Sequence, residues 1–217
     1  ESNANYAWIL HILSKLKAGK GVAGFLLANG ALGDTDAQNI RKRLIENDKI
    51  EAIIVLPREL FYTTDISVTL WILNQNKKGG IWHGRKLRNR ENEILFMDLR
   101  QWIENPVKGE QKKKVELKVE QIKHASEIYF KWQAEDTDGT NYAIPELYRS
   151  VGIKTLEEND FSLIPSRYIE FVDRDSDIDY NKVLTATASI VSDLLKRQKK
   201  NDTTLRNALK QLGYECK

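Results

Sequence analysis

Two apolar, β-branched runs separated by a short connection constrain the fold of this chain more than any other feature. The runs are IEAIIVLP at residues 50–57 and SVTLWILNQN at residues 67–76. Only ten residues, 57–66, join them, and these residues contain no convincing helix. A parallel crossover needs roughly a dozen or more residues and usually includes a helix. We therefore predict that strand 67–76 runs antiparallel to strand 50–57.

Helical and strand patterns alternate around this pair of strands. NYAWILHILSKLK (5–17) and DTDAQNIRKRLIEND (34–48) repeat apolar residues at three- and four-residue spacing, which is typical of amphipathic helices. GVAGFLLANG (21–30) is bounded by glycines and predicts a strand buried on both faces, and EILFMDL (93–99) predicts a further strand. This alternation is typical of an α/β fold with a parallel sheet, in which strand 67–76 is expected to be the antiparallel exception.

The pattern changes after about residue 105. VELKVEQIKHASEIYFKWQ (115–133) predicts a helix. Residues 134–171 have few clear elements, and we expect them to wrap around the core with some short strands. YNKVLTATASIVSDLLKRQ (180–198) and TTLRNALKQLGYE (203–215) predict two more helices with apolar stripes near heptad spacing. These stripes could pack together as a hairpin or dock on a partner. They contain Leu184, Val191, Leu194, Leu195, Leu205, Leu209 and Leu212.

Composition narrows the class of protein without naming a reaction. Cys216 is the single cysteine, so no internal disulfide is possible, which suits a reducing compartment. We see no signal peptide and no membrane-length apolar run, and we expect a cytoplasmic protein. The net charge of +3 neither requires nor excludes a nucleic-acid partner. The sequence has no Gly-x-Gly-x-x-Gly motif, no phosphate-binding loop and no Cys/His cluster with metal-ligand spacing, so we predict no metal site.

Six stretches in order carry a resemblance to a known family. They are NANYAWILHILSKLK, GVAGFLLANGAL, IRKRLIENDKIEAIIVLPRELFYTTDISVTLWIL, EILFMDLR, LIPSRYIEF and LRNALKQLGYE. Together they resemble the modification (M) subunit of type I restriction–modification systems, an adenine-N6 DNA methyltransferase that uses S-adenosylmethionine. The resemblance implies the second half of a Rossmann-like methyltransferase sheet, with parallel strands plus an antiparallel strand, followed by a C-terminal helical region. It assigns 1–105 to the C-terminal half of the methyltransferase α/β domain and 106–217 to a mainly helical region for subunit docking.

Two motifs of the resembled family are missing from this sequence. The family carries a glycine-rich S-adenosylmethionine motif and a catalytic Asn-Pro-Pro-Phe/Tyr motif, and no two prolines are adjacent here. The family also has Gly-Ile-Pro where this chain has Asp65-Ile66-Ser67. We therefore expect the C-terminal portion of such a subunit, whether an expressed piece, a proteolytic fragment or the product of a truncated gene. We expect it to be inactive alone and not to bind S-adenosylmethionine. Two alternatives are a non-catalytic subunit-docking module and an unrelated α/β enzyme.

Phe61 and Tyr62 are the candidates for a target-base pocket. Enzymes that modify a base flip it out of the duplex and stack it on aromatic or apolar side chains. In open α/β sheets, ligands bind beyond the carboxyl ends of the strands, where loop 57–66 would lie. The resemblance implies that this loop contributes to the pocket for the adenine; the alternative is that both aromatics pack onto the missing half. Asn29 and Gly30 end strand 21–30 at the same edge, and either line the pocket or form a turn.

A basic segment and the last helices suggest macromolecular partners. KKGGIWHGRKLRNR (77–90) contains no acid, so it could contact DNA phosphates, but the antiparallel strand before it would place it at the opposite rim, as a solvated loop. The resemblance implies docking of the C-terminal helices on the DNA-specificity subunit, and DNA and the restriction subunit as further partners. The phosphate candidates are Lys77, Lys78, Arg85, Lys86, Arg88 and Arg90.

Overall fold

The computed structural model describes residues 4–61, 65–102, 115–172 and 179–213. It divides into two compact units, Glu1–Val172 and Asp173–Lys217. None of the helices in the described part is long and apolar enough to cross a membrane.

A six-stranded mixed sheet organises the first unit. Its strands are ordered β1-β3-β2-β6-β8-β7, so β3 lies between two strands that precede it in the chain. A separate hairpin is formed by β4 and β5. The strands are β1 (Val22–Ala28), β2 (Ile50–Val55), β3 (Val68–Asn74), β4 (Gly80–Trp82), β5 (Arg85–Leu87), β6 (Glu93–Asp98), β7 (Ala143–Ile144) and β8 (Tyr148–Gly152).

The directions of the strands confirm the prediction made from the ten-residue connection. Strand β3 pairs antiparallel with β1 on one side and with β2 on the other. Strand β6 pairs parallel with β2. Strands β1, β2 and β6 therefore all point the same way, and their carboxyl ends meet at one edge of the sheet, which we call the carboxyl edge. The opposite edge is the amino rim.

Helices cover both faces of the sheet. The helices of this unit are α1 (Ala4–Lys15), α2 (Gln38–Glu46), α3 (Val119–Gln133) and α4 (Ile153–Glu158). On one face, Tyr6 of α1, Leu44 of α2 and Leu156 of α4 share a buried cluster with Trp71 of β3. On the other face, Trp132 of α3 is buried with residues of β2 and β6. Alternating side chains of the central strands serve both clusters, which explains why these strands read as continuous apolar runs.

Strand β1 differs from its prediction. It was expected to be buried on both faces, but it lies at the sheet edge, and its residues alternate between exposed and half-buried. The amide of Gln75 donates to the carbonyl of Gly21 at 2.9 Å, so alternate residues from Val22 onward turn their backbone groups toward the open edge. An apolar run without charge therefore does not establish burial, because burial also depends on which strands lie alongside.

The segment 77–90 was predicted to be a solvated loop at the opposite rim, and only its position is confirmed. Strand β3 ends at the amino rim, where the amide of Asn74 donates to the carbonyl of Lys49 at 3.1 Å. The segment then forms the β4–β5 hairpin rather than an irregular loop. Glycines permit its turns, since Gly79, Gly80 and Gly84 have φ angles of +90°, +96° and +76°.

The second unit is a single helix, α5 (Tyr180–Gln211), where two helices were predicted. The sequence between the predicted helices contains neither proline nor glycine, so nothing there breaks the helix. The hydroxyls of Thr203 and Thr204 donate to carbonyls four residues earlier and fit within the helix. Gly213 follows the helix with φ +83°, as expected of a C-terminal cap. The hairpin alternative for the two apolar stripes is wrong, because both stripes belong to one continuous helix.

The compact units do not divide where the composition changes. The expected boundary near residue 105 lies outside the described residues, and strands β7 and β8 from the predicted helical region extend the sheet. A boundary between compact units falls between residues 172 and 173. The short strands expected within 134–171 are confirmed by β7 and β8.

Candidate functional site

The carboxyl edge gathers three strand ends and the loop between β2 and β3. Asn29 follows β1, Leu56 follows β2, and Asp98 ends β6. The amide of Leu56 donates to the carbonyl of Val68 at 2.9 Å, and the Ser67 hydroxyl donates to the carbonyl of Leu56. These bonds close the base of loop 57–66, so the loop begins and ends at this edge.

Phe61 lies on that loop with 38% of its surface exposed. Tyr62 falls outside the described residues. The Nε of Arg58 donates to the carbonyl of Asp65 at 3.3 Å and links the two arms of the loop. The loop thus presents an aromatic side chain to solvent at the edge where α/β sheets bind ligands.

Asn29 is held at this edge by a residue that the sequence reasoning missed. The Thr69 hydroxyl donates to Asn29 Oδ1 at 2.7 Å, and Thr69 is fully buried. Because this bond fixes Oδ1 of Asn29, the side-chain nitrogen of Asn29 can point outward. Gly30 is exposed, and a Cβ built on it would meet nothing within 4 Å. Gly30 has no positive φ, so its backbone conformation does not require glycine. What could matter for a pocket is the open space beside its backbone.

Arg100 and Asp98 form a second feature of the edge that the sequence reasoning missed. The Nε and Nη2 of Arg100 both donate to the Asp98 carboxylate, with distances of 2.5–3.0 Å. The hydrogen bonds to Asp98 raise the pKa of the Arg100 guanidinium. Its side chain is 44% exposed, whereas that of Asp98 is 8% exposed. The available signal was an Asp-x-Arg triplet directly after a buried strand.

Two of the six basic residues proposed as phosphate contacts, Lys77 and Arg90, are buried. Lys77 is 3% exposed, and its ammonium group donates to Asp48 and to the carbonyls of Ile50 and Glu93. Burial lowers the pKa of Lys77. Arg90 is 0% exposed and donates to Glu51 at 2.9 Å. The phosphate prediction is wrong for these two residues, because their donors are spent inside the protein.

The other four basic residues of the segment lie at the amino rim, away from the carboxyl edge. Arg88 binds Glu93 through two hydrogen bonds of 2.8 and 3.1 Å. Lys86 and Lys78 are exposed and lie 3.4 Å and 4.0 Å from the carboxylates of Glu135 and Glu91. Arg85 packs on an aromatic ring described below. Sequence reasoning had weakened the phosphate hypothesis on topology, and burial and pairing weaken it further.

The apolar side chains predicted for subunit docking share one face of α5. At 100° per residue, the seven positions fall within a strip about 100° wide. Six of them are exposed and Leu209 is half-buried, and α5 has no buried residue. Gln198, Asn201 and Asp202 interrupt the strip near its middle. We call the seven residues Leu184, Val191, Leu194, Leu195, Leu205, Leu209 and Leu212 the apolar strip.

Comparison with known proteins identifies the family. A model of the N-6 DNA methylase family matches residues 1–177. The chain belongs to the N-6 DNA methylase family. The resemblance found in the sequence is thereby confirmed.

The curated relatives of this N-6 DNA methylase chain are methylase subunits of type I restriction enzymes. It is 27% identical to the HindI methylase subunit of Haemophilus influenzae over 99% of this chain and 45% of that protein. It is 28% identical to the MjaIX methylase subunit of Methanocaldococcus jannaschii over 98% of this chain and 36% of that protein. The chain therefore spans less than half the length of these relatives.

Solved structures support the same fold. A type I methyltransferase subunit from Streptococcus thermophilus matches with a TM-score of 0.61 and 24% identity, covering 79% of this chain and 31% of that one. A chain from a structure addressing complex assembly of the type I R-M system matches with a TM-score of 0.55 and 14% identity, covering 95% and 40%. These similarities confirm the methyltransferase fold class, with a mixed sheet and a C-terminal helix.

Two features of the carboxyl edge bear on the binding of S-adenosylmethionine. The segment after β1 contains two glycines, Gly30 and Gly33, and no Gly-x-Gly-x-x-Gly motif. Asp98 could otherwise bind ribose hydroxyls, but its carboxylate is held by Arg100. The edge can instead offer an aromatic ring, an amide and a cation, a set suited to contacts with a base and a phosphate.

Proposed function

We propose that this chain is a portion of the modification subunit of a type I restriction–modification system, and that the intact protein transfers a methyl group from S-adenosylmethionine to the N6 atom of adenine in DNA. The chain belongs to the N-6 DNA methylase family. The observation that carries the proposal is that loop 57–66 begins and ends at the carboxyl edge and that Phe61 on this loop is exposed. A cytoplasmic location follows from that substrate.

In this proposal Phe61 stacks on a flipped adenine, and Tyr62, which lies outside the described residues, is the second candidate for that contact. Stacking needs an exposed ring on a loop whose base is fixed, and the bonds of Leu56 and Ser67 supply that base. Asn29, oriented by Thr69, lines the same pocket with Gly30. Arg100 lies at the same edge and is a candidate contact for a DNA phosphate.

The test is the Phe61→Ala substitution in the intact subunit. Loss of one base–aromatic stack should lower the methylation rate about 10- to 100-fold, since such a stack contributes about 1–3 kcal/mol. The midpoint of thermal unfolding should change little, because the ring is partly exposed. Ile81→Ala, at an exposed position of the opposite rim, is the matched control. Unchanged methylation with Phe61→Ala would refute the base-pocket role.

We infer that this chain alone is inactive and that its cofactor site and catalytic motif lie in the part of the subunit it does not span. Support comes from the missing motifs and from the Asp98 carboxylate, which is held by Arg100. Calorimetric titration of the chain with S-adenosylmethionine should give no binding heat. A dissociation constant in the micromolar range would contradict the inference.

A second function, docking on the DNA-specificity subunit, is favoured by the apolar strip of α5. Exposed apolar residues along one helix face are suited to helix-in-groove or helix–helix recognition. Leu195→Asp should abolish co-purification with a specificity subunit, as should removal of 180–217, and Ser189→Asp on another face should not. If all variants co-purify equally, the strip is not the docking surface.

The restriction subunit is a further proposed partner of the assembled system. If docking holds but the intact protein has no methylation activity, the chain is a docking module only.

A further inference from the structure

A cavity of about 240 Å³ lies at the amino rim. The proposed base pocket lies at the opposite edge of the sheet. Four separate parts of the chain enclose it. They are the turn before β1, the end of β3, the β4–β5 hairpin and helix α3. Its lining residues include Lys20, Trp82, Arg85, Tyr129 and Phe130.

Two cations of the cavity have no carboxylate partner among the described residues. Arg85 and Lys20 form no ion pair within 4.0 Å there, in contrast to Lys78, Lys86 and Arg88 of the same rim. The Arg85 guanidinium lies 4.3 Å from the centroid of the Phe130 ring, and its Nη2 donates to the Phe130 carbonyl at 3.1 Å. These two contacts with Phe130 hold the guanidinium in place, and its remaining donors face no carboxylate among the described residues.

The floor of the cavity is rigid and neutral. Asn74, Tyr129 and Gln133 line it, and each donates a hydrogen bond to the buried carboxylate of Glu51. Arg90 compensates the charge of Glu51 through its own hydrogen bond of 2.9 Å. The net charge presented to a ligand therefore comes from Lys20 and Arg85. The side chains of the floor are already held by hydrogen bonds and need not rearrange when a ligand binds.

Trp82 adds an aromatic surface to these charges. Trp82 is half-buried, and its ring makes an edge contact with the ring of His83, with centroids 4.9 Å apart. In the described part of the chain its indole N–H has no hydrogen-bond acceptor. Cations beside an aromatic ring are the combination that binds a phosphate and its adjoining base.

From this arrangement we propose that the amino-rim cavity is a nucleotide-binding site, in which Lys20 and Arg85 bind the phosphate and Trp82 contacts the base. The cavity is smaller than the roughly 300–1,000 Å³ of common ligand pockets, so it encloses one end of a nucleotide and leaves the rest in solvent. The nucleotide is either free or part of a single strand of nucleic acid. The proposal does not depend on the proposed methyltransferase function, because the two sites lie at opposite edges.

Calorimetric titration of the full chain with deoxyadenosine 5′-monophosphate tests the site. The expected result is binding that Arg85→Gln and Lys20→Gln each weaken about tenfold, the effect of losing one charge-assisted hydrogen bond. Lys86→Gln, in the same hairpin but outside the cavity, should leave affinity unchanged. Far-UV circular dichroism and thermal unfolding of each variant establish that it folds. If Arg85→Gln fails to fold, Lys20→Gln, at an exposed turn position, decides the outcome.

Titrations with further ligands distinguish a free nucleotide from a single strand of nucleic acid and test whether the phosphate is needed. A short single-stranded oligodeoxynucleotide that binds more tightly than the mononucleotide, with the same dependence on Lys20 and Arg85, points to nucleic acid. Preference for the mononucleotide points to a free nucleotide. Equal binding of deoxyadenosine, which lacks phosphate, would overturn the proposal. So would the absence of binding by both nucleotide ligands at about 10 mM, or an equal loss in Lys86→Gln.

Discussion

Glu51 determines the structure of the segment that follows β3. It is fully buried on the second residue of β2, and its carboxylate accepts hydrogen bonds from Arg90, Asn74, Tyr129 and Gln133. A charge without water needs a counter-charge and full hydrogen bonding. Four donors from three separate parts of the chain meet that need, so the cluster ties segment 75–92 and α3 to the sheet.

Arg90→Met should be among the most destabilising substitutions in the chain. It leaves the buried Glu51 charge without its counter-charge, at a cost of about 3–5 kcal/mol in the free energy of unfolding. Lys78→Met, in the same segment but with a side chain 83% exposed, should change that free energy by less than about 0.5 kcal/mol. Urea unfolding at pH 7 measures both. Similar values for the two variants would show that the Glu51 cluster is not the anchor.

Tyr129 links this cluster to the response to alkaline pH. Burial, then the Glu51 carboxylate, raise the pKa of Tyr129 well above 10, and burial raises the pKa of Tyr168 to about 12. Above pH 10 the unfolded chain releases these protons and the folded chain retains them. The contribution of these two tyrosines to the free energy of unfolding is therefore fully present below pH 10 and is lost as the pH rises beyond it.

Tyr129→Phe should reduce the pH dependence at a cost in stability at neutral pH. At pH 7 it removes a hydrogen bond to a charged group, so the free energy of unfolding should fall by about 1.5–3 kcal/mol. Above pH 10 it removes one titrating group, so stability should decline less steeply with pH. Urea unfolding from pH 7 to pH 11 gives both quantities, with Tyr180→Phe at an exposed position as control. An unchanged alkaline slope would argue against the role of Tyr129.

Residue burial was the part of the site least accessible from sequence. Lys77 and Arg90 looked like phosphate contacts because segment 77–90 itself contains no acid. Their partners, Asp48 and Glu51, are 29 and 39 residues away and meet them only in the folded sheet. Asn29 and Phe61 were placed at the correct edge, because strand ends follow directly from strand direction.

Among the elements, strand direction could be predicted and strand exposure could not. The ten-residue connection excludes a parallel crossover whatever the rest of the fold, so β3 was oriented correctly. The exposure of β1 depends on its neighbours across the sheet, which a single apolar run does not specify. Likewise, the apolar stripes of α5 predicted helix, but the polar stretch between them was mistaken for a break.

Two glycines of neighbouring elements should respond oppositely to alanine. At Gly24 of β1 a Cβ would meet only Leu70 Cδ1 at 3.7 Å, so Gly24→Ala should stabilise the chain by about 0.5–1 kcal/mol. At Gly79, with φ +90°, a Cβ would lie 2.6 Å from the carbonyl oxygens of Leu87 and Arg88. Gly79→Ala should therefore destabilise it by more than about 1 kcal/mol. Differences in the midpoint of urea unfolding measure both, and the same sign for both variants would contradict the described backbone.

At the scale of the whole molecule, the chain divides into a packed unit and a helix. All the clusters of buried side chains described above belong to residues 4–172, whereas α5 contributes no buried residue. The stability of the chain and its proposed docking function are therefore assigned to different units.

A chain ending at residue 172 should keep the stability of the first unit. We expect its thermal midpoint to lie within about 2 °C of that of the full chain, since α5 contains no buried residue. Scanning calorimetry of both lengths measures the difference. A fall of more than about 5 °C would show that the C-terminal helix supports the sheet.

The place of β3 in the sheet sets an order for folding during synthesis. Strands β1 and β2 leave the ribosome before β3, yet they are not paired with each other, and β3 pairs with both of them. Until Asn74 has emerged, β1 and β2 lack the strand that lies between them in the sheet. Insertion of β3 is therefore the step that commits this half of the sheet, and the preceding interval is when the nascent chain is most exposed to aggregation.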